Sequence, residues 1–506
     1  MVKLPPLPGK QCFPVSQTVK MSPRKQWHTQ CLPHAEKPCN SRTRRGACKS
    51  ASAGYAGKGV VETAREPMRG ILFEFDLHPT TWVYMSSLMT VGIYFKFRRL
   101  WSVRNLDLIA LIAFAPGLLL VTHGQEQLGY TWLFSVSGFF LIRLLLDVVM
   151  IRRPLLEPNL SASGLTFTGV ALLVFLMTRV GTAPVEEGDR AGPQRLEQLL
   201  ARQESKTDKA ELSQHGPGYP LFYLFASFAN RAYAPPDTAE PETSRRARIE
   251  DRTARTTAIL AHLALVIGLV LIGYRHFDSM QTGVAVATLY LLLPYTAQIP
   301  SRVDHVLPAA LLVWAVAAYR RPLVAGILLG LAAGVIYYPL FLLPLWCGFY
   351  WRRGLLRFCL GVLGTLVLLV ASLALTASNW HSFVGQLQQM FGWTDLLRGE
   401  ATGFWQYHDS MFRLPVMAAF LALCGSLALW PPQKNLGTLL SCSAAVMLGT
   451  QFWHAQHGGI YMGWYLPLLV LTIFRPNLED RVAQSAVAEL RFRWRRNRAA
   501  KAPAVA

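Results

Sequence analysis

Four short stretches of the chain carry side chains able to do chemistry. The first is acidic, Glu186-Glu187-Gly-Asp189, and the second is a turn, His215-Gly-Pro-Gly-Tyr-Pro-Leu221. The third is Ser301-Arg-Val-Asp-His-Val-Leu-Pro308, and the fourth is Trp453-His-Ala-Gln-His457. A carboxylate at a membrane surface can serve as general base for an attacking hydroxyl. Asp304 and His305 stand at the mouth of an apolar segment beside Pro308, where an ionisable pair is costly unless it is paired or used. Plainer readings stay open beside these: solvated loop charges for the acids, a turn residue for His215 and a topological anchor for Arg302. The eight cysteines divide between the N-terminal region (Cys12, Cys31, Cys39, Cys48) and apolar segments (Cys347, Cys359, Cys424, Cys442). No CxxC or Cys/His spacing marks a metal site or a disulfide framework.

The elements that must position these residues are apolar helices. Hydrophobic residues make up 52% of the 506 and charged ones only 16%. Apolar runs near membrane-spanning length recur from Thr81 to Phe474, which excludes a soluble fold and defines an all-α, polytopic integral membrane protein. The net charge of +21 would suggest nucleic acid in a soluble protein. Here most Lys and Arg sit in tails and short loops, so the excess reads as topology and lipid-surface contact, with no nucleic-acid partner.

Residues 1–67 are basic, rich in Pro, Ser, Lys and Arg, and without an apolar period or the apolar core of a secretory leader. Two readings stand side by side: a disordered basic tail, or an over-extended start with Met68 as the true first residue. Residues 68–160 hold three apolar segments (Thr81–Phe95, Leu106–Thr122, Thr131–Ile151), with arginine-rich turns after the first and third. Arg143 and Asp147, four apart on one helical face, read as a structural ion pair. A core over residues 161–475 follows, with outer loops at 181–255 and 378–410, and then a basic cytoplasmic tail, 476–506.

Within the core, Arg320-Arg321 and Arg352-Arg353 bracket residues 322–351, a block without charge. Both ends belong on the cytoplasmic side by the positive-inside rule, so the block is a hairpin of two short, Pro-bent helices or a re-entrant one. Asp304 and His305 then fall on the opposite, outer face. Counting back from the basic C-terminal tail, spans near Gly458–Phe474, Leu436–Phe452, Met411–Trp430, Leu355–Ala377, Val303–Tyr319, Gly283–Gln298 and Thr256–Gly273 alternate without conflict. Forward and backward counts agree when the aromatic run Tyr219–Tyr233 does not cross and Ala234–Arg255 is a charged outer linker. Against this stand Arg245, Arg246, Arg248, Arg252 and Arg255, which the charge rule would place inside. With the fourth apolar segment, Gly164–Val180, the sum is roughly thirteen transmembrane helices, N-terminus out and C-terminus in. Trp380, Trp393, Trp405 and Tyr407 in the late outer loop suit an interfacial belt or packing on sugar or lipid.

This order of elements resembles the GT-C superfamily of membrane glycosyltransferases, which take a sugar from a polyprenyl-phosphate carrier. The likeness runs from about residue 164 to 475. It rests on an acidic first outer loop closing on the His215–Leu221 turn, an Asp at the outer start of a later helix (Asp304), and the Gly-rich and Tyr-Pro-Leu segments of Gly326–Arg353. The resemblance implies hexosyl transfer at the outer (periplasmic or lumenal) face of a bacterial inner or ER membrane, with a polyprenyl-phosphate-sugar donor and an unidentified acceptor. It makes Glu186, Glu187 or Asp189 the catalytic base. His215, Tyr219, Arg302, Asp304 and His305 become substrate-binding, with His215 on the carrier phosphate and Arg302 neutralising it. No cofactor is certain; some relatives need a divalent metal. Two departures count against it. Val335-Ile336 stands where the Gly-rich helix often leads into a Lys, and the first loop has no clean Asp-Asp or Asp-x-Asp pair. The alternative is a multi-pass transporter or lipid flippase, which predicts ionisable groups buried mid-membrane and paired repeats. A non-catalytic scaffold is the third class.

Overall fold

A computed structural model of the chain describes residues 78–150, 156–185, 187–200, 215–233, 242–351, 353–376 and 401–478, with positions 380, 383–384 and 481–482. All lie in the compact unit Met68–Ala506. The expected tail 1–67, positions 479–480 and 483–506 of the expected tail 476–506, Glu186, and most of the expected outer loop 378–410, with Trp393, lie outside the described residues. Among the described residues the regular structure is helical, without a β-strand.

Among the described residues five helices are long and apolar enough to cross a membrane. The first is composite: α2 (Val103–Ile112) and α3 (Phe114–Thr122) meet at Ala113. Pro116 causes the break, because it has no N–H for the carbonyl of Ile112 and its ring crowds that turn. The Trp132 indole, on α4, donates to the Ala113 carbonyl at 2.6 Å. The other long helices are α4 (Glu126–Leu146), α5 (Ala162–Thr182), α8 (Glu242–His276) and α14 (Leu355–Thr376). Between them lie α1 (Pro79–Tyr94), α6 (Glu187–Leu200) and α7 (Leu224–Ala232). Then come α9 (Met280–Leu292), α10 (Pro294–Gln298), α11 (Val303–Ala317), α12 (Pro322–Val335) and α13 (Leu343–Phe349). The last described helices are α15 (Arg413–Leu429), α16 (Leu436–Gly449) and α17 (Leu466–Phe474).

The neutral block 322–351 is a hairpin of two short helical arms: α12, a tip at Ile336–Tyr337, then a 3-10 turn (Tyr338–Leu342) running into α13. At the end away from the tip, four charged residues form a buried chain. Arg143 grips Asp107 through two 3.0 Å hydrogen bonds and Asp147 through a third, and Asp147 in turn accepts from Arg475 at 2.6 Å. The expected Arg143–Asp147 pair is thus the centre of a larger, charge-balanced network joining α2, α4 and the end of α17.

Two expectations are corrected. Ala234–Arg255 is not a linker throughout: from Glu242 it is the first half of the 35-residue α8. No Gly or Pro interrupts Glu242–Ile267, so polarity alone suggested a break where helix propensity is high. At 1.5 Å per residue α8 runs about 52 Å, well beyond a bilayer core of about 30 Å. Its projecting half is tied down by Arg190–Asp251 (2.6 and 3.2 Å), Gln194–Glu250 (3.1 Å) and Arg255 to the Ala183 carbonyl (2.9 Å). The span expected at Gly458–Phe474 begins only at Leu466. Residues 453–465 are irregular, and His457 and Gly459 take positive φ of 50° and 99°.

Candidate functional site

The hairpin tip, the start of α11, the start of α6 and the 453–465 segment meet at one end of the bundle. Arg302 caps α11 and Asp304 opens its first turn. The guanidinium binds both carboxylate oxygens of Asp304, at 2.9 Å from Nε and 2.7 Å from Nη2, the planar fork-to-fork pairing that arginine favours. The same Nε stands 3.6 Å from Asp189 Oδ1. One arginine therefore serves two carboxylates, both buried at 5% (Asp304) and 2% (Asp189) exposure.

Asp189 reaches Arg302 because α6 lies close against Tyr223. Gly192, three residues on and so on the same face of α6, leaves the room: a Cβ there would overlap the Tyr223 ring. Tyr223 donates to the Tyr219 hydroxyl at 2.7 Å, and the Tyr219 ring stacks on His215 at 4.1 Å. The turn carrying His215 is docked on the C-terminal end of α12. Gly216 N–H donates to the Val335 carbonyl and Gly218 N–H to the Gly334 carbonyl, each at 2.7 Å. These are carbonyls a helix end leaves unmatched. His215 Nε2 is thereby placed 3.8 Å from Asp304 Oδ2.

His305 Nε2 lies 3.7 Å from Asp304 Oδ2 on the other side, while its Nδ1 shares a hydrogen bond with the Tyr295 hydroxyl. Pro308 matters to this geometry. Lacking an N–H, it leaves the carbonyl of Asp304 without an intrahelical donor, and the Trp464 indole donates to that carbonyl at 3.0 Å. Trp464 belongs to an aromatic wall. Tyr338, at the hairpin tip, stacks on Trp464 (5.0 Å) and contacts His454 (5.1 Å) and Trp453 (5.7 Å), while Tyr461 stacks on Trp464 at 4.5 Å. Arg413 closes the far side by donating to the Trp453 carbonyl at 3.3 Å.

The electrostatics follow the packing. Asp304 holds the Arg302 guanidinium firmly protonated, well above its ordinary range, against the opposing cost of burial. Burial pushes the Tyr219 phenol up, and the negative charge of Asp304 adds to it. Burial pushes His454 down to about 3, with Arg413 acting in the same direction, and lifts Tyr461 to about 12. His454 and Tyr461 are therefore neutral near pH 7, and the guanidinium of Arg413 stands at the far side of the wall.

Asp189, His215, Tyr219, Arg302, Asp304 and His305, all expected from sequence, are brought together. Glu187 starts α6 with its side chain outside the described set. The fourth polar stretch contributes His454 to the wall, while His457 meets the Tyr130 hydroxyl at 3.0 Å. Of the loop aromatics, Trp405 is buried and donates to the Phe452 carbonyl (3.1 Å), whereas Trp380 is exposed. Tyr223, Tyr295, Tyr338, Tyr461 and Trp464 were not expected. The Tyr337-Tyr338-Pro339 tip was the one available signal, since Tyr461 and Trp464 are hidden in a run that reads as membrane span. Among the described residues no group of three His, Cys, Asp or Glu side chains is placed to hold a metal ion. Comparison with protein-family models and with curated proteins finds no match to this chain.

Proposed function

We propose that the chain is a membrane glycosyltransferase of the GT-C kind, moving a sugar from a polyprenyl-phosphate donor to a hydroxyl acceptor. The observation that carries this reading is the meeting, on Arg302, of carboxylates from two stretches distant in sequence, with His215 beside them. Two carboxylates share one guanidinium, so the cluster keeps one surplus negative charge and can take up a proton. Asp189, held by the longer contact, is the base. It accepts the acceptor hydroxyl's proton as that oxygen bonds to the anomeric carbon. The bond from that carbon to the phosphate oxygen breaks with inversion, and the polyprenyl phosphate leaves with the electron pair. Arg302 and His215 face the leaving phosphate, and the stacked rings of Tyr338, Tyr461 and Trp464 form an apolar wall beside the sugar.

In this reading the Asp304 end is the outer face, periplasmic in a bacterial inner membrane, and the arginine turns and C-terminus are cytoplasmic. Counting α1 and the shorter apolar helices as crossings gives the arrangement of about thirteen spans. Two of the α8 arginines that are awkward for the charge rule are bonded locally, Arg246 to Glu242 and Arg255 to the Ala183 carbonyl, which supports an outer position. The buried Asp107–Arg143–Asp147–Arg475 chain is balanced and bonded, which suits a structural lock better than a transport path.

The test is transfer of radiolabel from a panel of polyprenyl-phosphate sugars in membranes. Asp189→Asn is expected to lower transfer by about 10²–10⁴-fold, the usual share of a general base, while Glu186→Gln and Glu187→Gln keep it within a few-fold. Full transfer by Asp189→Asn sinks the assignment. Absence of transfer from every donor sinks the transferase and leaves a transporter or flippase as the reading to test.

A further inference from the structure

Three nitrogens converge on Oδ2 of Asp304: Arg302 Nη2 at 2.7 Å, His305 Nε2 at 3.7 Å and His215 Nε2 at 3.8 Å. An imidazole nitrogen is a donor only when it carries a proton, and the neutral ring has one proton for two nitrogens. For His305 the neighbour that decides between them is Tyr295, on the short helix α10. Both side chains are buried. Their rings are nearly parallel, at 9° with centroids 6.2 Å apart, and they meet edge to edge through the bond between the phenol hydroxyl and Nδ1. Gly463 completes the seat. A Cβ there would come within 2.7 Å of the His305 carbonyl oxygen and 3.2 Å of the Tyr295 hydroxyl, so the 462–464 turn closes on both residues because position 463 has no side chain. At the opposite edge of the imidazole, Nε2 is buried and makes no hydrogen bond; Asp304 is the charge it faces.

The proton's place follows from which groups can accept. Among the described residues Nδ1 is the one acceptor bonded to the Tyr295 hydroxyl. Were Nδ1 protonated, the phenol would have to accept, and its own O–H would be buried without a partner, which folded proteins nearly always avoid. The bare Nε2 would then turn its lone pair on the Asp304 carboxylate. A ring protonated on both nitrogens strands the phenol proton in the same way. With the phenol as donor, Nδ1 accepts, Nε2 carries the proton, and a positive edge faces Asp304. We propose that Tyr295 is a positioning residue that holds His305 as the neutral Nε2–H tautomer. Arg302 is shared with Asp189 at 3.6 Å, and the His305 N–H keeps Asp304 faced by positive charge while that guanidinium is shared. The tautomer rests on packing alone; its effect on transfer rests on the transferase reading.

The experiment is nitrogen NMR of the full chain, isotope-labelled only in its histidine rings and reconstituted in bilayers. Protonated and bare imidazole nitrogens resonate far apart, so the spectrum reads the tautomer directly, and His305→Asn identifies the His305 signals by difference. The parent is expected to show Nε2 protonated and Nδ1 bare. Tyr295→Phe keeps the ring and removes the hydroxyl. It is expected to move these signals and to lower label transfer about 2- to 10-fold, the range that one neutral hydrogen bond supports. Tyr350→Phe is the control. Its phenol is also buried and donates to the Tyr319 carbonyl at 2.6 Å, so loss of a buried hydrogen bond in itself should leave the His305 signals in place. A parent spectrum with Nδ1 protonated, or with both nitrogens protonated, overturns the proposal without any variant at Tyr295. Unmoved His305 signals in Tyr295→Phe overturn it as well. If no donor gives transfer, the transferase reading fails, and the spectrum still decides the tautomer.

Discussion

A methyl group at position 216 would land on the Gly334 carbonyl oxygen, and one at position 192 on the ring of Tyr223. These two glycines set the site's geometry without touching its chemistry, because each allows a backbone approach that a side chain forbids. Gly216→Ala is therefore expected to undock the His215 turn, cutting label transfer at least about tenfold and costing about 1–3 kcal/mol of stability by thermal unfolding. Gly188→Ala, at a position with open space around it, is the matched control and should change little. Unchanged transfer in Gly216→Ala would mean that His215 does not need its docked turn. The unusual Gly-Pro-Gly context was visible in the sequence. Its docking partner was not, since nothing in residues 215–221 says that the receiving carbonyls are those of Gly334 and Val335.

At the scale of elements, the legible features were those with a local period. The Arg143–Asp147 pair follows from four-residue spacing on α4, and the hairpin from arginine pairs around a neutral, Pro-punctuated block. Asp107 and Arg475 join that ion pair from other helices, and no spacing rule reaches them. Asp147→Asn would take from Arg475 the carboxylate it binds and leave Arg143 to Asp107. Breaking such a network from one side typically costs about 3–5 kcal/mol, so a lowered thermal midpoint in detergent is expected, with transfer at permissive temperature retained. A midpoint equal to the parent's would show that the network carries no net stability. The two misread elements share a physical cause. The first half of α8 is polar yet strongly helical, and its acids Glu250 and Asp251 are bonded by α6, whereas residues 458–465, largely without charge, do not continue the helix that starts at Leu466. Hydropathy tracks burial, and it tracks backbone conformation only where burial and helix coincide.

For the whole molecule the decisive quantity is orientation. The Asp304 end gathers the ends of α3, α5 and α12 with the projecting half of α8, while Arg99, Arg320 and Arg353 mark the other. A single cysteine at Thr243, in a background with the native cysteines replaced, is expected to react with a membrane-impermeant maleimide added outside intact cells. A cysteine at Arg99 is expected to react only after permeabilisation. The reverse pattern would turn the site to the cytoplasm and end the reading of a lumenal or periplasmic transferase. Orientation also bears on the indole of Trp464, which holds the carbonyl of Asp304 from 160 positions further along the chain. A ribosome delivers Asp189, His215, Arg302 and Asp304 to the membrane long before it makes Trp464. During synthesis the carboxylates and their arginine must wait, with the carbonyl that Pro308 leaves open still unclaimed, until the segment that carries Trp464 is made.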